Sequence, residues 1–237
     1  MDSLVRPVQH RSKQKPVASC GLLAVNPSDV HCFGALSDRH GLKKRFLFNA
    51  HLYDGPEFFV AGPAVGAPMA ALCLESLVTL GASRIIVYSW CGSLQPQLVL
   101  GNLFMPLAAV SEEGTSRHYP YQERGRDSSL EETLHSWLVC QDLAPRQGSL
   151  WSTDAPFRET RKKITRYADQ GVWAVDMEYA ALRAVAAFRH VQLAALFTVS
   201  DELFHSTWRP GFTAQTFRRA SQERLQHLCS FFGDLRS

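Results

Sequence analysis

A chain of 237 residues with 46% hydrophobic and 20% charged content is long enough to bury one sizeable core and too apolar to stay disordered. Its formal charge of +3 is small and forms no long basic stripe, which argues against a nucleic-acid partner. Six cysteines without a CxxC spacing and nine histidines without an HxxxH pair argue against a disulfide framework and a metal site, and no apolar run reaches the ~18 residues of a membrane span.

Residues 1–17 carry Arg6, His10, Arg11, Lys13 and Lys15 among polar residues and two prolines, with no periodicity to pack. A mobile arm is expected there, either a plain tail or a strap to a neighbouring subunit, followed by one domain over residues 18–237. No hydrophobic signal segment precedes the domain, so a cytosolic protein with reduced thiols is expected.

The apolar run at 20–25 predicts a strand, and Asn26-Pro27-Ser28-Asp29 predicts a turn and helix start. Runs at 46–52 and 57–61 read as two strands of a hairpin, because Asp54-Gly55 lies between them. Gly62-Pro63-Ala64-Val65-Gly66-Ala67-Pro68 then opens a helix with Met69, Leu72, Cys73, Leu77 and Leu80 at helical spacing, closed by Gly81. Residues 84–90 predict a buried strand, with Cys91-Gly92-Ser93 as the turn that leaves it. Further strands are expected at 103–110, 148–151, 172–175 and 191–199, and helices at 130–139, 158–168, 178–188 and 212–232. This alternation predicts a single α/β domain with a central mixed sheet, largely parallel, flanked by helices.

Two carboxylate motifs stand where apolar runs end: Val175-Asp176-Met177-Glu178 and Thr198-Val199-Ser200-Asp201. Two carboxylates in one pocket suit acid chemistry on a sugar and its leaving group, one ionised to hold hydroxyls and positive charge, the other protonated to deliver its proton. A helix cap and a structural ion pair are the plain alternatives. The glycines at 62 and 66 lack the Lys-Ser/Thr of a P-loop and do not match GxGxxG, so they read as backbone clearance or as a direct ligand contact. Ser93 either donates to a ligand or satisfies its turn.

In order along the chain, Gly62 to Pro68, Leu80-Gly81-Ala82, Cys91-Gly92-Ser93-Leu94, Glu113-Gly114-Thr115-Ser116, Ser152-Thr153-Asp154-Ala155-Pro156-Phe157, the Met-Glu motif and the Ser-Asp motif resemble the nucleoside phosphorylase and nucleosidase superfamily. Its branch here contains purine nucleoside phosphorylase, uridine phosphorylase and methylthioadenosine nucleosidase. The resemblance implies that Glu178 grips the ribose hydroxyls over Met177, and that Asp201 protonates a purine leaving group with Ser200 shaping its loop. It further implies that Cys91 and Gly92 run along the base and that Phe157 packs on its face; an ordinary core aromatic is the other reading of Phe157. Relatives complete each pocket with a neighbour's residues, which implies a homo-oligomer. Arg117-His118-Tyr119 lines a pocket or forms a surface loop.

The resemblance breaks at the anion site. Where relatives place arginines and a serine, this chain has Asp29, Val87 and Trp90, and the apolar Trp90 is then a candidate substrate contact. Each lost charge-assisted bond costs a phosphate roughly 1.5–3 kcal/mol. Lys43, Lys44 or Arg45, near where relatives supply a basic residue to a neighbour, offer partial compensation. The implied activity is cleavage of the N-glycosidic bond of a purine-type nucleoside, without cofactor or metal and without a nucleic-acid or membrane partner. Hydrolysis is favoured; phosphorolysis with phosphate as co-substrate and a catalytically silent nucleoside-binding protein are the alternatives.

Overall fold

A computed structural model describes residues 4–5, 15–120 and 128–235. Most of the arm expected over residues 1–17 therefore lies outside the described residues, but Val17 is buried and donates its backbone N–H to the Leu80 carbonyl at 2.9 Å. The described residues form one α/β domain around a ten-stranded mixed sheet.

The strands are β1 (Cys20–Ala24), β2 (Lys43–Leu47), β3 (Ala50–Asp54), β4 (Phe59–Gly62), β5 (Arg84–Ser93), β6 (Leu103–Ser111), β7 (Arg146–Ser152), β8 (Val172–Asp176), β9 (Gln192–Glu202) and β10 (Arg209–Pro210). Every residue of β1 is buried, as a parallel strand covered on both faces requires. It pairs in parallel with β4 and β5, and β5 pairs in parallel with β9. From β9 the sheet continues antiparallel to β6, parallel through β7 to β8, and back antiparallel to β5. Five strands thus close into a ring, from which β1, β4, β3 and β2 extend as an open wing.

Six α-helices among the described residues cover this sheet: α1 (Phe33–His40), α2 (Ala67–Thr79), α3 (Ser129–Cys140), α4 (Arg161–Asp169), α5 (Tyr179–Arg189) and α6 (Gln215–Asp234). Leu74 and Leu77 of α2 share one core cluster with Leu182 and Val185 of α5. Leu36, Leu134, Leu225 and Phe231, from α1, α3 and α6, form the other. A third and smaller cluster joins Ile164 and Tyr167 of α4 to Trp151, Val175 and Leu203. No helix among the described residues is long and apolar enough to cross a membrane.

Three expectations are corrected. The run at 46–52 is two strands, because Asn49 takes a left-handed backbone (φ 53°) and turns the chain between β2 and β3. Cys91-Gly92-Ser93 does not leave the sheet: β5 runs through it, with a register shift at Cys91/Gly92. Ser200 and Asp201, placed in a loop from sequence, lie on β9.

Candidate active site

At the end of the ring Gly92 pairs with Val175 on one side and Asp201 on the other. This register carries the two acidic motifs to opposite flanks of one residue. A Cβ on Gly92 would stand 2.5 Å from Leu203 Cδ1, 3.1 Å from Val175 Cγ1 and 3.2 Å from Asp201 Oδ2, so only glycine lets the strands approach this closely.

A cavity of about 760 Å³ opens there, and both Glu178 and Asp201 line it. Cys91, Gly92, Met177, Ser200, Trp90 and Phe157 line it as well, so all eight residues singled out from sequence come together.

Glu178 is held from two directions. β8 ends at Asp176, whose Oδ2 accepts the backbone N–H groups of Glu178 at 3.1 Å and Tyr179 at 2.7 Å, capping α5. Its Oδ1 accepts the Ser152 hydroxyl at 2.5 Å. From the other side Gly66, at the N-terminus of α2, donates its N–H to Glu178 Oε1 at 2.6 Å. Burial first, and the adjacent Asp176 charge second, push the Glu178 carboxyl well above the usual range. The sequence reading assigned the ionised role to this group; burial and the Asp176 charge oppose that charge, while the Gly66 N–H supports it.

Asp201 accepts the Ser200 hydroxyl on Oδ1 at 2.6 Å and the Trp208 indole N–H on Oδ2 at 2.7 Å. Burial raises its pKa, and these two bonds pull it back. Trp208 reaches it because β10 folds back on β9, pairing Pro210 with Asp201. Arg161 ties this return loop to α4 through the carbonyls of Leu203 at 2.8 Å and Ser206 at 3.1 Å. Cys91 is buried, its thiol pushed far up by burial and by Asp201, so it offers surface and no nucleophile. Phe157 is neither a core aromatic nor a ring stacked inside: it is 99% exposed at the rim.

The substituted anion positions hold no cation. Asp29 is fully buried, its carboxyl raised to about 7 by desolvation, with Oδ1 3.3 Å from the Ser221 hydroxyl and Oδ2 unpartnered. Val87 is in the core, and the Trp90 indole donates to Ser221 Oγ at 2.7 Å. Arg45 is engaged by Asp54 at 2.7 Å and by the carbonyls of Pro16 and Lys15. Among the cavity-lining residues Arg161 is the one cation, and it is committed to carbonyls. Among the described residues no group of three or more His, Cys, Asp or Glu side chains is arranged to hold a metal ion.

Sequence reasoning missed Trp208, Arg161 and Glu159, all of which line the cavity. Trp208 and Glu159 arrive through a loop and a turn whose paths depend on distant pairing, and Arg161 opens α4 just after that turn. The only local signal was their nearness to Asp201 and Phe157.

The family model described as "Phosphorylase superfamily" matches residues 21–232. The chain belongs to the phosphorylase superfamily. It is similar to a guanosine phosphorylase of Halorubrum lacusprofundi, 28% identical over 153 residues, a match that covers 64% of each protein and so spans under two thirds of that relative's length. Among solved structures, it resembles uridine phosphorylase from Vibrio fischeri, with a TM-score of 0.76, 20% identity, and 97% of this chain and 100% of that one covered. AMP nucleosidase from Bacteroides thetaiotaomicron superposes with a TM-score of 0.73 at 21% identity, covering 93% of this chain and 90% of the other. At these identities the structural likenesses speak for a phosphorylase-superfamily fold, and the cavity described above is where that fold brings its acidic motifs together.

Proposed function

We propose that the chain is an enzyme that cleaves the N-glycosidic bond of a purine-type nucleoside, with water as the nucleophile. The observation that carries this reading is the shared cavity of Glu178 and Asp201, on either flank of Gly92 and without an uncommitted cation. Asp201, its proton favoured by burial, gives that proton to the imidazole nitrogen of the base as the bond from C1′ lengthens and its electron pair leaves with the base. Glu178 accepts the ribose hydroxyls, and its charge grows favourable as the sugar becomes an oxocarbenium ion. Water adds to C1′ from the opposite face and gives up a proton, which restores the acid.

In this reading Met177 packs beneath the sugar and Cys91, Gly92 and Ser200 run along the base. Trp90 fills space that an anion would occupy, and Phe157 closes over the base from the rim. The exposed apolar side chains Phe46, Phe48, Val65 and Leu72 support a homo-oligomer that covers them.

Phosphorolysis is the second reading. Exposed Lys43 and Lys44 on β2 favour it, as cations that a neighbouring subunit would have to bring to the cavity. The test is incubation with adenosine, inosine, guanosine, methylthioadenosine and uridine, with and without phosphate. Base release in phosphate-free buffer supports hydrolysis, and release that requires phosphate overturns it. Tight binding without release from any nucleoside would favour a silent pocket.

A further inference from the structure

The terminal helix α6 turns one stripe of side chains toward the cavity wall. Phe217, Ser221 and Arg224 stand at i, i+4 and i+7, so they share a face. Phe217 meets the Trp90 ring edge-on, with centroids 5.0 Å apart and planes at 81°, and Ser221 Oγ accepts the Trp90 indole N–H at 2.7 Å. Arg224 donates to Thr198 Oγ1 at 3.2 Å and to the Gly101 carbonyl at 2.5 Å. Thr198 is the residue that pairs with Trp90 across β5 and β9. The half-buried indole is thus held from behind by α6, while its remaining surface lines the cavity.

Ser221 is fully buried, and its hydroxyl has no capacity left. It donates to Asp29 Oδ1 at 3.3 Å, accepts from Trp90, and lies 3.0 Å from the Tyr88 hydroxyl, which fills its one proton and both lone pairs. An indole N–H swung away from this oxygen would lose its partner, a cost that keeps the ring in one rotamer. Val25, Asn26 and Pro27 line the cavity with it, and Asn26 Oδ1 is already taken by the Ser28 N–H at 2.8 Å. Trp90 is therefore a fixed apolar surface.

We infer that Ser221 is a positioning residue that sets which nucleophile reaches the sugar, by fixing the Trp90 indole so that the space facing C1′ admits water and refuses anything larger. This rests on the reading of the cavity as a hydrolytic nucleoside site. Ser221 touches no substrate and acts only through Trp90. In the step it governs, the oxygen of water bonds to C1′, the bond from C1′ to the base breaks, the base leaves with the Asp201 proton, and the proton lost by the water restores Asp201. Methanol follows the same balance and yields the methyl riboside, but it brings one carbon more.

Methanol is the probe. The whole protein is incubated with adenosine and inosine in phosphate-free buffer containing methanol, and methyl riboside and ribose are quantified. Their ratio does not depend on how much of a variant is folded, so it follows positioning and not stability. The wild type should form ribose almost alone. Ser221→Ala should raise the methyl riboside share roughly tenfold, the lower end of what a pocket gains by refusing one carbon. Ser221→Cys keeps the volume and weakens the acceptor, so it should raise the share as well and tests the bond if the alanine variant does not fold. In a Trp90→Phe background, where the bond is already gone, Ser221→Ala should change the ratio little further. A ratio unmoved by loss of the Ser221 acceptor, or moved equally with and without the indole, overturns the inference. Base release that requires phosphate, or no release, sinks the hydrolytic reading and the choice of nucleophile with it. Hydrogen exchange of the Trp90 indole, identified by the resonance that Trp90→Phe removes, separates the two failures: faster exchange in Ser221→Ala upholds the clamp, and unchanged exchange overturns it.

Discussion

The backbone N–H of Gly66 lies 2.6 Å from Oε1 of Glu178, so the first turn of α2 grips the side chain that follows β8. A glycine-rich loop read from sequence as clearance or as a ligand contact is thereby part of the acidic site. Gly66 holds this pose at φ 84° and ψ 145°, a region that side chains other than glycine's rarely enter. Gly66→Ala should therefore cost about 1–3 kcal/mol of stability by thermal or urea unfolding, and should lower kcat/KM for base release by shifting the grip on Glu178. A variant of wild-type stability and activity would show that the loop tolerates the change and that the grip does not matter.

Trp208 offers a test of the acid. Its indole N–H stabilises the ionised form of Asp201, and so does the Ser200 hydroxyl. Trp208→Phe removes one of these bonds, which raises the Asp201 pKa. If the protonated form is the working one, the alkaline limb of kcat/KM moves to higher pH. An unmoved limb, or one displaced towards acid, would separate Asp201 from the titration that governs the rate.

Asp29 governs stability. Its pKa rises from 3.8 to about 7 on folding because burial disfavours the charge. The native state holds the proton more tightly than the unfolded chain, so this contribution is complete below about pH 4 and is lost as pH rises through 7. Asp29→Asn carries no charge at any pH. Its unfolding free energy should gain on that of the wild type by roughly 2–4 kcal/mol between pH 4 and pH 8. A difference between the two proteins that stays constant across that range would contradict the assignment.

The fold and the acidic pair were legible because their signals are local. An apolar strand that ends in a carboxylate marks both Asp176 with Glu178 and Ser200 with Asp201, and cavity walls at strand ends follow from the alternation of elements. Gly92 misled because glycine inside an apolar run suggests a turn, whereas its real cause is the close approach of Val175 and Asp201 from two other strands. Asn49 misled for the opposite reason: a β-like run hid one left-handed residue. Trp208 and Glu159 were out of reach, since the β10 return and the turn after β7 bring them to the cavity only when the sheet has closed. The upward push on the Glu178 carboxyl was also out of reach, because a carboxylate's burial is a property of the packed molecule.

Everything proposed for the site comes down to Asp201 and Glu178 acting on one nucleoside, and the most direct measurement is release of free base from purine nucleosides by the wild type and by Asp201→Asn. The amide keeps the shape and loses the proton. The wild type should release base, and the variant should do so at least a hundredfold more slowly, the usual worth of a positioned acid, while still binding the nucleoside. Release by Asp201→Asn at the wild-type rate would contradict the account.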